Sequence, residues 1–220
     1  MKKTKWICMI LLVLTMAFGL AGCGEDQKAE EEPQQTEAAE TQDAGEHNAL
    51  VVYFSRTGEQ YEVGEINKGN TAIVAEMIAE EMDADLFEVM PEEDYYPYTY
   101  DELTDVAKKE QEENARPAYQ KDNVPDLSGY DTVFIGAPVW WGDWPMIMYT
   151  FFEDNAEALA GKTLVPFSTH EGSGLSGFDT KLAEVCPDSD IAEGLAIQGS
   201  DAQNQQDSVR SEVKNWLQSL

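Results

Sequence analysis

Positive charge is what this 220-residue sequence has least of: 14 lysines and arginines stand against 43 aspartates and glutamates, a formal net charge of −29. A surface of that sign repels phosphate backbones and anionic headgroups, which excludes nucleic acid and leaves basic partners or neutral small molecules. Histidine is nearly absent. His47 and His170 are the only two, and neither has a second histidine or a cysteine at ligand spacing, so a zinc or iron site has no support and no metal is expected. A serine-hydrolase elbow is missing as well. Gly172-Ser173-Gly174 is not the Gly-x-Ser-x-Gly pattern, and a histidine three residues away is not thereby aimed at the serine. Acid pairs such as Glu92-Glu93 and Glu112-Glu113 read as solvated faces in so acidic a chain.

Cysteine is scarce too, at Cys8, Cys23 and Cys186. The basic Met1-Lys2-Lys3-Thr4-Lys5 precedes an apolar run from Trp6 through Ala21, then Gly22-Cys23. This order of segments is a secretory pattern, and Leu20-Ala21-Gly22-Cys23 resembles the bacterial lipoprotein signal. The resemblance implies cleavage before Cys23, acylation of Cys23 and a lipid anchor at the extracytoplasmic face of the cell membrane, stable because more than one acyl chain holds it. The competing reading, a single transmembrane helix, needs a longer run than this one. On the first reading residues 1–22 are the signal peptide and Cys8 leaves with them. Cys186 then stands alone in the folded part, which can form no internal disulfide. Residues 23–46 lack aromatic and large aliphatic side chains and cannot bury enough apolar surface to fold. They read as an acidic tether, extended by its own repulsion, ahead of a folded domain over residues 47–220.

Within that domain, apolar runs of strand length alternate with helix-length segments, the signature of a doubly wound parallel α/β sheet. Five strands are expected at Ala49–Phe54, Ala84–Met90, Thr132–Ala137, Thr163–Ser168 and Ile191–Ile197, each nearly continuous in apolar residues as befits a sheet covered on both faces. Helices are expected over Thr71–Glu81, Asp101–Asn114, Pro145–Leu159, Leu175–Val185 and Gln203–Leu220. In the first, Ile73, Val74, Met77 and Ile78 share a face opposite Glu76 and Glu80. No internal repeat is visible.

Three loops carry the chemistry. After the first strand come Ser55-Arg56-Thr57-Gly58, then the stretch Glu59–Gly69, then Asn70-Thr71 at a helix start. Hydroxyls and backbone N–H groups at a helix N-terminus hold a phosphate without help from lysine; the same residue types are also ordinary turn and N-cap residues. After the third strand comes Pro138-Val139-Trp140-Trp141-Gly142-Asp143-Trp144-Pro145, and after the fourth Thr169-His170-Glu171-Gly172-Ser173-Gly174. Three tryptophans within five residues at the carboxyl end of a parallel strand are costly to leave exposed. A flat aromatic ligand would cover them, and so would the inserted stretch.

Taken together these segments resemble the flavodoxin family, whose phosphate loop has a Ser/Thr-x-Thr-Gly-x-Thr pattern, here interrupted by the insertion Glu59–Gly69. The Pro-x-Trp-Trp-Gly-x-x-Pro and Thr-His-x-Gly-Ser-Gly segments resemble its flavin-flanking loops. The resemblance runs from about Ala49 to Leu220. It implies a three-layer α/β/α sandwich with strand order 2-1-3-4-5 and non-covalent FMN at the carboxyl ends of strands one, three and four. It implies a phosphate site from Ser55, Arg56, Thr57, Gly58, Asn70 and Thr71. Ring contacts would come from Pro138, Val139, Trp140, Trp141 and Gly142, with at least one of Trp140 and Trp141 on the flavin and Trp144 in the core. The last loop would supply Thr169, His170, Glu171, Gly172, Ser173 and Gly174, its glycines allowing close approach to a planar ring. His170 either stabilises negative charge on a reduced flavin or caps a helix. Tyr95, Tyr96, Tyr98 and Tyr100 either roof the site or pack over the sheet edge. No aromatic follows in the last loop until Phe178, which would leave one ring face open to a quinone-like acceptor.

The function implied is electron transfer to a redox partner protein, or FMN-dependent oxidoreduction of such a small acceptor. The alternative is a cofactor-free fold of the same kind serving as a binding lipoprotein.

Overall fold

The buried run Ala49–Tyr53 forms β1 of the computed structural model, which describes residues 48–220. The signal segment, Cys8, Cys23, the tether and His47 lie outside the described residues. After β1 come a short hairpin, β2 (Gly58–Gln60) and β3 (Gly64–Ile66), then α1 (Asn70–Met82), β4 (Asp85–Glu88) and α2 (Tyr100–Glu113). Two single 3-10 turns lead into β5 (Thr132–Pro138), α3 (Met146–Leu159), β6 (Thr163–His170) and α4 (Phe178–Val185). β7 (Asp190–Ile191), β8 (Leu195–Gln198), α5 (Gly199–Asn204) and α6 (Gln206–Leu217) close the chain.

The main sheet is parallel throughout, in the order β4-β1-β5-β6, with β7 and β8 both paired to β6. This is the doubly wound order expected from the sequence. Because successive strand residues point to opposite faces, each strand feeds two cores. Leu50, Val52, Val133 and Ile135 pack beneath Ile147, Phe151 and Phe152 of α3 and Phe178 and Leu182 of α4. Val51, Phe134, Val165 and Phe167 face Val74 and Ile78 of α1 and Val209, Val213 and Trp216 of α6. Each fully buried phenylalanine among them contributes about 1.5–3 kcal/mol of transfer free energy. The α2 helix belongs to neither cluster; its buried residues are Leu103, Ala107 and Glu110. Among the described residues no helix is long and apolar enough to cross a membrane.

Four departures from the sequence expectation have local causes. The fifth strand is two pieces: Leu164 pairs with Ile191 and Phe167 with Leu195, so the outer strand carries one extra residue and bulges at Ala192-Glu193-Gly194. It bulges opposite Pro166, which has no N–H for the ladder. The helix expected from Leu175 begins at Phe178, because Ser176 and Gly177 are left-handed at φ 52° and 70°. The last helix is broken at Gln205, whose φ of −134° is not helical. The stretch Glu59–Gly69, with no structure assigned from the sequence, contains most of the β2–β3 hairpin.

Gly136 of β5 sits against its register partner Phe167, and a Cβ there would overlap the ring. Overpacking a site this tight costs on the order of 1–3 kcal/mol. Gly136→Ala is therefore expected to lower the unfolding free energy in urea by that amount, with the midpoint falling in proportion. The double variant Gly136→Ala/Phe167→Leu should recover part of it, and a single variant with unchanged midpoint would refute the packing account.

Candidate functional site

The strand order brings the ends of β1, β5 and β6 side by side, so the three loops that follow them converge. After β1, the Ser55 hydroxyl accepts a hydrogen bond from the Ala72 N–H at 3.0 Å and so caps the first turn of α1. Gly69, just before that helix, lies so close that a Cβ would overlap Ser55 Oγ. The first-turn N–H groups of Asn70 and Thr71 have no acceptor within the helix. The Thr71 hydroxyl is buried and shares a 2.7 Å hydrogen bond with the buried Thr169 hydroxyl, which ties α1 to the end of β6.

Arg56 does something the sequence did not foretell. Its Nε donates to the Pro97 carbonyl at 3.1 Å, Nη1 to the Glu59 carbonyl at 2.7 Å, and Nη2 to the carbonyls of Pro97 and Tyr98. The guanidinium thus clamps the hairpin to the segment ahead of α2 through backbone carbonyls. Gly58 completes the clamp: at φ 89° it packs against the Tyr98 carbonyl, where a Cβ would come within 2.8 Å. Glu59 accepts from the Tyr100 N–H at 3.0 Å, a carboxylate at the N-terminus of α2 where the helix dipole favours it.

After β5, Trp140 and Asp143 exchange backbone hydrogen bonds at 2.9 and 3.0 Å around Trp141 and Gly142. Both central residues are left-handed, φ 51° and 76°, the conformation of a two-residue hairpin turn. Glycine takes it freely; a tryptophan there is strained by about 1–3 kcal/mol. Several contacts hold it. The Trp141 indole donates to the Thr104 carbonyl at 2.9 Å, Gln111 donates to the Trp141 carbonyl at 3.3 Å, and the Lys108 ammonium lies 5.4 Å from the indole. From the other side Lys181 donates to the Gly142 carbonyl at 2.6 Å and pairs with Asp143 at 3.1 Å. Trp141 stays 54% exposed. Trp140 stands edge-on to Phe54 and Tyr96, and Trp144 is buried, stacked on Phe178 at 3.6 Å.

After β6, His170 Nδ1 accepts from the Gly172 N–H at 2.9 Å. Burial holds the His170 pKa below its ordinary value, against the pull of Glu171 and a backbone hydrogen bond at Ala196. The imidazole is a neutral staple within its own loop. The Glu171 carboxylate accepts from the Ser200 N–H and hydroxyl at 2.7 and 3.1 Å.

These loops enclose a cleft of about 490 Å³. Of the sequence-derived site residues, Asn70, Pro138, Val139, Trp140, Trp141, Gly142, Thr169, His170, Glu171 and Ser173 line it. Ser55, Arg56, Thr57, Gly58, Thr71, Gly172 and Gly174 do not; Ser55, Arg56 and Thr57 instead line a second cavity of about 780 Å³, together with Lys68 and Gly69. Six lining residues were not foreseen as a group: Gln60 and Tyr61 from the hairpin, and Tyr100, Leu103, Thr104 and Ala107 from α2. Tyr100 belongs to the tyrosine cluster weighed as a roof, and it is the member that reaches the cleft; its ring lies 5.7 Å from that of Tyr61. Tyr96 packs under Trp140 instead. Glu171 is the one carboxylate of the lining, and no lysine or arginine lines it. Among the described residues no cluster of His, Cys, Asp and Glu is placed to hold a metal ion.

A family model described as flavodoxin matches residues 48–220. A candidate flavoprotein from Bacteroides uniformis is 29% identical with a TM-score of 0.60, the match covering 78% of this chain and 97% of that one. Another, from Bacteroides eggerthii, is 30% identical with a TM-score of 0.55, covering 74% and 97%. A flavoprotein from Lactobacillus acidophilus, solved in complex with FMN, is 25% identical with a TM-score of 0.55, covering 71% and 96%. No curated protein matches the chain.

The Thr71–Thr169 bond makes a measurable claim about how the cleft is held. Thr71→Val leaves the buried Thr169 hydroxyl without its partner and is expected to cost about 1–3 kcal/mol in urea unfolding. Thr71→Val/Thr169→Val should cost less than the sum of the two single changes. Strict additivity would show that the hydroxyls do not interact.

Proposed function

The chain belongs to the flavodoxin family, and from that premise we propose that its cleft binds FMN and that the protein carries electrons at the extracytoplasmic face of the membrane. One observation carries the reading: a cleft at the carboxyl ends of β1, β5 and β6, walled by aromatic faces and ending at the first turn of a helix. The lining fits such a group. Trp140, Trp141, Tyr61 and Tyr100 offer flat surfaces to a ring system, and the backbone from Gly142 and from Thr169 to Ser173 offers polar edges. The amides of Asn70 and Thr71, with the Asn70 side chain, would meet a phosphate, with the helix dipole replacing the missing cation.

When bound, FMN supplies one- or two-electron transfer, and the chain supplies orientation and electrostatics. Trp140, braced edge-on by Phe54 and Tyr96, holds its position without a ligand. The Lys181 and Trp141 contacts fix the turn beside it, so binding requires little ordering. The chain's excess of carboxylates opposes placing further negative charge in the cleft, which lowers the potential of whatever is reduced there. His170, neutral and tied to Gly172, contributes no compensating charge.

The partner is a redox protein with a basic face or a small quinone-like acceptor, in keeping with the net charge and the aromatic lining. Lipidation at Cys23, supported by the Leu20-Ala21-Gly22-Cys23 pattern, would place the domain beside the membrane, on a tether.

Two outcomes are expected. The purified full chain, incubated with FMN and desalted, should show flavin absorption bands, and Trp140→Ala should weaken FMN binding at least about tenfold, the equivalent of 1.4 kcal/mol. A colourless protein with no FMN affinity would replace this reading with a cofactor-free binding lipoprotein. Separately, Cys23→Ser should move the protein from the membrane to the soluble fraction of expressing cells; persistence at the membrane would refute the lipid anchor.

A further inference from the structure

The α2 helix is the outer wall of the cleft, and its attachments are few. Leu103 and Ala107 are its buried apolar residues, and both line the cleft. Polar ties come from Trp141 to the Thr104 carbonyl, from Gln111 to the Trp141 carbonyl and from Glu59 to the Tyr100 N–H. Helix α2 shares no core cluster with the sheet, so it can lift without opening either hydrophobic layer.

The third buried residue on that face is Glu110, 3% exposed. Its Oε2 accepts one long hydrogen bond, 3.4 Å, from the Tyr96 hydroxyl, and its Oε1 has no partner. An ionised carboxylate in that position is poorly served: buried charges persist where they are paired and fully hydrogen-bonded. The groups that act on it are Tyr95 and Tyr96, from the segment leading into α2. On the helix itself Glu113 adds a like charge next to Tyr95. Arg116, the cation just past the helix end, is bound to Glu153, Asn114 and Ala115. Tyr96 in turn rests against Trp140, ring to ring at 5.1 Å, so Glu110 sits one side chain behind the cleft wall.

We propose that Glu110 is the latch of a pH-sensitive lid: with its carboxyl protonated, α2 lies closed on the cleft, and ionisation of that carboxyl loosens the helix. Burial pushes the Glu110 pKa up to about 7 from an ordinary value of 4.5, with the nearby Tyr95 and Tyr96 hydroxyls pulling the other way. The closed state therefore holds the proton more tightly than the lifted one. Its advantage is full below the ordinary carboxylate range, falls as pH rises through the interval, and levels off above about 7. The lid becomes easier to lift as pH rises through that interval. This goes beyond the electron-transfer reading and does not depend on what occupies the cleft.

Amide hydrogen exchange on the purified full chain without added flavin tests it. After correction for intrinsic exchange, protection of α2 should fall by up to about tenfold per pH unit between pH 5 and 7 and then flatten. Amides of β1 and β5 should show no such slope. Glu110→Gln, which cannot ionise, should keep the low-pH protection at pH 8. Glu113→Gln, an exposed neighbour on the same helix, should leave the slope in place. Should Glu110→Gln fail to fold, Tyr96→Phe removes one of the two tyrosine hydroxyls that favour the ionised form and should shift the midpoint upward. A pH-independent α2 in the unaltered chain, a slope that survives Glu110→Gln, or a midpoint unmoved by Tyr96→Phe would each overturn the proposal.

Discussion

The sheet is parallel and covered on both faces, and the rest of the molecule follows from that constraint. Parallel strands must be joined by crossovers, so every strand delivers its carboxyl end to the same edge. With β1, β5 and β6 adjacent, the loops carrying Ser55, Trp140 and Thr169 have no other place to go. The cleft is the gap those crossovers leave, and its chemistry is decided by loop residues that the two cores do not use. Its floor is rigid because Thr71 and Thr169 join two of the three loops from beneath. Its outer wall is not part of that frame.

What could be read from the sequence was what is local. Four strands were legible because Ala49–Tyr53, Asp85–Glu88, Thr132–Pro138 and Thr163–His170 lie in nearly continuous apolar runs, and α1 was legible from its 3.6-residue stripe. The bulge at Ala192–Gly194 was not, since one apolar run reads the same whether or not it carries an extra residue. The hairpin was invisible for a different reason. Its strands are three residues each, too short to show a period, and the Arg56 clamp that holds them reaches carbonyls about forty residues away. The segments Pro138–Pro145 and Thr169–Gly174 came through because aromatic and glycine residues are conspicuous. Tyr61 and the inner face of α2, which supply the opposite side of the cleft, carry no such mark.

The scarcity of cations also shapes how they are used. Arg56 serves three carbonyls, Lys181 two carbonyls and one carboxylate, and Arg116 a carboxylate, a side-chain amide and two carbonyls. A cation that satisfies backbone oxygens at a loop crossing fixes geometry, whereas an exposed surface ion pair contributes at most about 1 kcal/mol. In this chain the cleft is left to neutral donors and aromatic faces as a result. Trp141 shows the outcome: a strained backbone kept in place by one lysine below it and one helix above it.

The bulge in the outer strand has a bearing on self-association. A parallel sheet ends in a row of unpaired amides and carbonyls, and a straight outer strand would offer them in register to another copy of the chain. Here the extra residue at Ala192–Gly194 splits that row into pieces of two and four residues that cannot both align with one straight partner. At the opposite border β4 is four residues long and begins and ends on a carboxylate, Asp85 and Glu88. Both borders are thus blunted against strand-to-strand aggregation.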